Sequence, residues 1–465
     1  MHANLFRYIW RSLLSGSIAV ALVGYPQLAG AADQLCDTSA EDCRAPLLTL
    51  IANEQVRIDV AFNMMEDDTI ANALISRFKA RVPVRVLMDP RRNSVSPRNA
   101  TILQKLAAAG IPMRGKTSGG TMHWKFMLFQ GQQKLEMGAA NFSDYYLIPV
   151  TPYVNYTDEA VFITDDAAVV NSFKTRMDDA WLDTTQTVNY ANIPGSLARA
   201  YDTFPIDPTL LFVPWENFAR RAVPLYDAET VGIDVLMYKI TEASHADGLI
   251  RAARRLPPGS VRLIVEPSWY RNPANVWQAY HVDRLYASGV KIRVRSHLGF
   301  MHQKTVLLKG QALSIFGSSN WTSESNKSQH EHNYFTKKSG IFTWLQANFS
   351  RKWSNSTGNA ETAAFVPAPP GTPVYSAPAN SSSGQLLTGL YLTWKPGPWA
   401  HRADVYFGTT SIPPRVATNV AVSPSSTKKY PLGVLVSGRT YYWQIVSKTM
   451  ANKEAAGPVW SFTTQ

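Results

Sequence analysis

His123 and Lys125 stand two residues apart, with Asn141 following in Gly138-Ala139-Ala140-Asn141; His302, Lys304 and Asn320, in Gly317-Ser318-Ser319-Asn320, repeat the arrangement. The His and the Asn both recur after 179 residues, so a duplication and not a chance tripeptide accounts for the match. Two imidazoles, two ammonium groups and two amides suit attack on a phosphodiester, an anion with a poor alkoxide leaving group. One imidazole serves as nucleophile and the other supplies the proton for the leaving oxygen, and they exchange duties when water completes the cycle. Lys125, Lys304, Asn141 and Asn320 would hold the non-bridging oxygens as charge builds, with Ser318 and Ser319 in support.

A catalytic imidazole is held in one tautomer by a group on its far nitrogen, commonly a carboxylate. Glu159 and Glu331 each follow one of the Asn residues and precede an apolar run, Ala160-Val161-Phe162 and His332-Asn333-Tyr334-Phe335. His330 and His332 fall on one strand face, but no third ligand accompanies them, and no metal or other cofactor is expected. His245, His281 and His297 have no partner spacing and read as surface or packing residues.

The elements that must position these groups are themselves duplicated. Ile58-Asp59-Val60 returns as Ile233-Asp234-Val235, the run Val84 to Asp89 as Val261 to Glu266, and Leu106 to Gly110 as Leu285 to Gly289. Apolar periodicity predicts helices from Thr69 to Ala80, Pro97 to Ala109, Asp247 to Arg255 and Asn275 to Ala287. Strands alternating with such helices imply an α/β sheet in each half. Each half then ends in a hairpin that carries the His. On a strand His123 and Lys125 project together while Trp124 turns away, as do His302 and Lys304 relative to Gln303.

The doubled H-x-K with paired Asn resembles the phospholipase D superfamily, whose signature is H-x-K-x4-D followed by G-S-x-N, over roughly residues 35 to 355. The resemblance implies a bilobal monomer in which two signatures meet at a pseudo-twofold cleft and act on one phosphodiester. It also implies His123 as nucleophile and His302 as general acid, or the reverse, and it places Glu159 and Glu331 where the family carries its orienting acids. The sequence departs from the signature at Gln130 and Lys309, which replace the Asp, putting local support in doubt more than the chemistry. Ala139 replaces the usual Ser, which weakens one expected phosphate contact.

Arg7 and Arg11 precede the apolar run Leu13 to Val23, and Ala29-Gly30-Ala31 offers a small-x-small cleavage site, so residues 1–31 are expected to be a removed export signal and the protein to be secreted or periplasmic. In an oxidising compartment Cys36 and Cys43 would close one small loop. The expected repeats cover 32–195 and 196–363. A Pro- and Ser-rich connector covers 364–384, with Pro367, Pro369, Pro370, Pro373 and Pro378. Beyond it, 385–465 has the aromatic and β-branched runs of an all-β sandwich and resembles a fibronectin type III module.

The formal charge of the chain is +12. From Ala368 onward eight Lys and Arg face only Asp404 and Glu454, a net +6, so much of the excess lies on the appended module and little on the repeats. A dedicated nucleic-acid enzyme would carry a basic tract at its cleft. The leading expectation is an exported phospholipase D-type phosphodiesterase whose C-terminal module serves attachment to an anionic membrane or polymer surface. An exported nuclease and a degenerate phosphate-binding protein share the same residues, and fold analogy alone does not choose among them.

Overall fold

The computed structural model describes residues 33–465. The expected export signal, residues 1–31, lies outside the described residues. The first sheet has eight strands: β1 (Gln34–Asp37), β2 (Ile58–Phe62), β3 (Val84–Met88), β4 (Met113–Lys116), β5 (Lys125–Phe129), β6 (Lys134–Gly138), β7 (Ala160–Thr164) and β8 (Thr187–Ala191). The second also has eight: β9 (Leu210–Val213), β10 (Ile233–Met237), β11 (Val261–Val265), β12 (Lys291–Arg295), β13 (Lys304–Leu308), β14 (Leu313–Gly317), β15 (Glu331–Thr336) and β16 (Thr362–Ala364). The spatial orders, β1-β7-β6-β5-β2-β3-β4-β8 and β9-β15-β14-β13-β10-β11-β12-β16, match strand for strand. In each sheet three neighbours run parallel, as crossover helices require, and the hairpin strands run antiparallel.

Both faces of each sheet are covered. Helices Arg44–Asn53, Asp68–Lys79 and Pro97–Ala108 pack on one side of the first sheet, where Val60, Val86, Met127 and Phe129 join one buried cluster. Strand alternation sends Ala61, Leu87, Phe126 and Leu128 to the other side. There they share a core with Leu236, Ile264, Leu307 and Phe316 of the second sheet and with helices Ala167–Leu182 and Ser339–Ser354. The repeats are thus fused through a common interior. The predicted helices form within a few residues of their expected limits. The Asp67 side chain caps Thr69 and Ile70, and Ser96 caps Asn99 just before Pro97 at the first helical position.

Residues beyond the repeats form two further sheets, of three and six strands, around Tyr375, Trp394, Trp443 and Phe462. This all-β module starts earlier than the expected 385. Val374–Ala377 is its first strand, and the Tyr375 hydroxyl accepts from Ile445 N at 2.7 Å while its ring stacks 4.3 Å from Trp443. The expected connector 364–384 is also pinned at its start, where Thr362–Ala364 pairs with β12 and Arg271 donates to the carbonyls of Ala368 and Pro369. Pro-rich composition concealed an edge strand, a place where proline is tolerated. Cys36 and Cys43 form the expected disulfide, with Cα atoms 5.7 Å apart.

Candidate active site

β5 begins at Lys125 and β13 at Lys304, so each His stands just before its strand and not on it. What fixes it there is backbone from the other repeat. His123 N donates to His330 O at 3.0 Å and His330 N to Thr121 O at 2.9 Å; across the pseudo-twofold, His302 N donates to Asp158 O at 3.1 Å and Asp158 N to Phe300 O at 2.7 Å. The residues after these anchors, Glu331 and Glu159, reach the imidazoles. His123 Nδ1 lies 2.8 Å from Glu331 Oε2, and His302 Nδ1 bonds Glu159 Oε1. The orienting carboxylates are therefore exchanged between the repeats.

The lysines are buried beside their histidines. Lys125 Nζ donates to His123 O at 2.6 Å; Lys304 Nζ donates to His302 O and lies 3.2 Å from its Nδ1. Asn141 and Asn320 line the same cleft as both histidines, and each is a buried amide whose Oδ1 makes no hydrogen bond within the protein. The cleft has a volume of about 900 Å³. Its walls differ: Asn63, Met64 and Arg92 occupy the first-repeat side, and their counterparts in the second repeat are Tyr238, Lys239 and Trp269. Tyr238 and Tyr146 stand edge-on to the His302 ring at 4.5 and 5.0 Å.

The two serines do not face the cleft as phosphate ligands. Ser318 Oγ donates to Glu331 Oε2 and accepts from His332 N, while Ser319 Oγ accepts from Asn333 Nδ2 at 2.8 Å. Ser325 Oγ donates to the other oxygen, Glu331 Oε1, at 2.8 Å. Ala139 occupies the place of Ser318 in the first repeat, and Glu159 Oε2 is left without a hydrogen-bond partner. The expected weakening of a phosphate contact is thereby corrected: Ala139 removes support from a carboxylate. Buried and under-supported, Glu159 is pushed up to about 8, against the pull of Lys304.

Burial lowers the other groups. His123 falls to about 4, with Glu331 opposing the shift and Lys125 adding to it. His302 is held well below its ordinary value by burial first and then by Lys304 and Lys125. Burial brings Lys304 down to about 8 and lowers Lys125 as well, with Glu331 and Glu159 pulling the other way in both. Gln130 and Lys309 lie beyond the far ends of β5 and β13, separated from the His by about 20 Å of extended chain. Lys309 Nζ pairs with Asp234 at 3.0 Å and Gln130 N donates to Arg57 O, so both replacements concern the distal sheet edge.

Asp89 and Glu266 end the matching runs that begin at Val84 and Val261. Asp89 Oδ2 accepts from Met122 N at 3.0 Å and Glu266 Oε2 from Met301 N at 2.9 Å, so each braces the residue before a catalytic-site His. Their signal was a carboxylate at the same place in both repeats. His330 is wedged edge-on to Trp124 and Trp215, at 4.8 and 5.4 Å, and His332 packs against Phe126 and Phe173. Among the described residues no group of three or more His, Cys, Asp or Glu is placed to hold a metal ion.

The family model described as "Cardiolipin synthase, PLD-like domain" matches residues 47–181 and 227–353. No curated protein matches the sequence significantly. Among solved structures, phosphatidylserine synthase of Haemophilus influenzae Rd KW20 aligns with a TM-score of 0.51 at 14% identity, covering 72% of this chain and 87% of that one. The phospholipase D family member Nuc of Salmonella typhimurium aligns at 0.31 and 20% identity over 35% of this chain and 99% of its own. Polyphosphate kinase of Porphyromonas gingivalis aligns at 0.48 and 13% identity over 68% of this chain, which spans half of that longer protein. At such identities the likeness concerns the fold.

Proposed function

The chain belongs to the phospholipase D-like family, whose model spans both repeats, and from that premise we propose that it is an exported phosphodiesterase that cleaves the headgroup bond of a glycerophospholipid. The observation that carries this reading is the pair of exchanged His–Glu contacts, which bring two oriented imidazoles, two lysines and two amides to one cleft.

The two His–Glu pairs differ in a way that divides the labour. Glu331, held by Ser318 and Ser325, accepts the Nδ1 proton of His123 and leaves Nε2 with its lone pair free to attack phosphorus. Glu159 and His302 retain one shared proton near neutral pH, because the carboxyl is pushed up to about 8. Arrival of the phosphate anion favours that proton on the imidazole, where Nε2–H meets the leaving oxygen. As the N–P bond forms, the P–O bond breaks and the headgroup alcohol departs with the proton. Water then attacks the phosphohistidine, gives its proton to His302 and releases the phosphomonoester. Lys125 and Lys304 balance the charge on the phosphoryl oxygens.

A nuclease reading draws on one feature, the aromatic wall of Tyr238, Trp269 and Trp277, on which bases could stack. Product analysis on phosphatidylcholine vesicles and on plasmid DNA, with His123→Ala as control, separates the two. Release of choline by the wild type alone supports the lipid reading. DNA cleavage without choline release replaces it with the nuclease.

A further inference from the structure

The repeats differ most beside His302. Asn141 and Glu159 are 18 residues apart, whereas Asn320 and Glu331 are 11 apart, so the first repeat carries a seven-residue extension between two site residues. The extension projects Val150 (70% exposed) and Val154 (41%), and next to it stand Leu298 (62%) and Phe300 (41%) of the second repeat. Backbone bonds join the two segments: Leu298 N donates to Val154 O at 2.9 Å and Tyr156 N to Leu298 O at 3.1 Å. Gly299, at φ +91°, permits this approach, since a Cβ there would lie 2.1 Å from Tyr156 O.

The position of this edge follows from the internal symmetry. Phe300 is the counterpart of Thr121, which lines the cleft, and it precedes His302 by two residues; Asp158 joins the two by backbone bonds, donating to Phe300 O at 2.7 Å and accepting from His302 N at 3.1 Å. Residues 145–157 and 296–301 contain no Asp, Glu, Lys or Arg, in a chain that is 17% charged. Tyr153 N is tied to Ser39 O at 2.8 Å, and Cys43 N to Leu147 O at 2.9 Å, so the disulfide loop braces the edge from behind. That loop exposes Glu41 and Asp42, which disfavour an anionic surface.

We propose that Val150, Val154, Leu298 and Phe300 form an edge that inserts shallowly into a zwitterionic bilayer and sets the cleft over the headgroup layer. The proposal rests on the lipid reading of the site. Exposed aliphatic and aromatic tips without charge suit the boundary between headgroups and acyl chains, and a partner of this kind explains why two uncharged segments, one from each repeat, are joined next to the backbone that holds His302.

The test uses the full-length protein with phosphatidylcholine vesicles. Sedimentation should show wild-type binding that persists in high salt, and at least a tenfold weaker partition for Leu298→Glu/Phe300→Glu and for Val150→Glu/Val154→Glu. Turnover of a small soluble phosphodiester should stay within twofold in both variants, which shows that they are folded. In Phe300→Cys, labelled at the introduced thiol with an environment-sensitive fluorophore, the emission should shift to the blue on adding vesicles, since Cys36 and Cys43 are closed in a disulfide. Wild-type partition of both double variants, binding abolished by salt, or an unshifted label emission overturns the edge. Loss of plasmid DNA binding in the same variants also overturns it, in favour of a nucleic-acid surface. Vesicle binding lost in the variants, with no choline release by the wild type, supports the edge and removes only the substrate reading.

Discussion

Glu331 of the second repeat holds His123 of the first at 2.8 Å, and the same carboxylate oxygen accepts from Ser318. The pair should therefore act as one unit. His123→Ala and His302→Ala should each lower turnover by at least ~10², the lower range for loss of an acid, base or nucleophile. Glu331→Gln should lower kcat more than it raises KM, and His123→Ala/Glu331→Gln should be no slower than His123→Ala alone. Additive losses in steady-state kinetics would show that the carboxylate works elsewhere.

The dependence of kcat/KM on pH should be bell-shaped. Below about 4, His123 takes up a proton and its Nε2 can no longer attack. Above about 8, the Glu159–His302 pair loses its shared proton and Lys304 loses its charge, so the rate falls again. A rate still rising well above pH 8 would contradict the assignment of the acid.

Ala139→Ser tests the origin of that alkaline limb. A hydroxyl placed as Ser318 is placed would stabilise the ionised form of Glu159, so the pair would lose its proton earlier and the limb would move to lower pH, by up to about one unit. Ser318→Ala should instead lower kcat without moving the limb. A pH profile identical in Ala139→Ser and wild type would mean that Glu159 is not the group that titrates.

Rapid quenching with labelled substrate should trap an acid-labile, base-stable phosphohistidine on the peptide containing His123. Label confined to the His302 peptide would reverse the two roles. Exhaustive dialysis against EDTA should leave the rate unchanged, because Lys125 and Lys304 already bring positive charge beside the imidazoles.

Removal of the all-β module after Pro370, which keeps the carbonyls bound by Arg271, should leave turnover of a small soluble phosphodiester nearly unchanged. Action on anionic vesicles should weaken, and added salt should narrow the difference, since the module carries +6. Equal activity of the two forms on vesicles at low salt would make the module a spacer.

Much of this architecture is legible in the residues. Repeated intervals locate His123, His302, Asn141 and Asn320, and the i, i+2 apolar pattern of Trp124, Phe126 and Leu128 marks the side that enters the common interior, leaving Lys125 with its His. The exchange of Glu159 and Glu331 is not legible, because a linear pattern records which groups exist and not which half of the chain each one serves. Ser318 misled for a related reason: a hydroxyl beside a phosphate-binding motif can bond either a ligand or a neighbouring carboxylate, and only the returning strand β15 decides. The early start of the all-β module is hidden because Tyr375 has its partners far along the chain, at Ile445, 70 residues away, and at Trp443.

The backbone bonds from Thr121 to His330 and from Phe300 to Asp158 make the two halves lock without help from the peptide that joins them. A chain severed between Ala191 and Leu210, the last strand residue of one half and the first of the other, would keep every one of those bonds. Two polypeptides produced separately could then reconstitute one working enzyme by complementation. Each alone would be inert, since it would hold a histidine without its carboxylate.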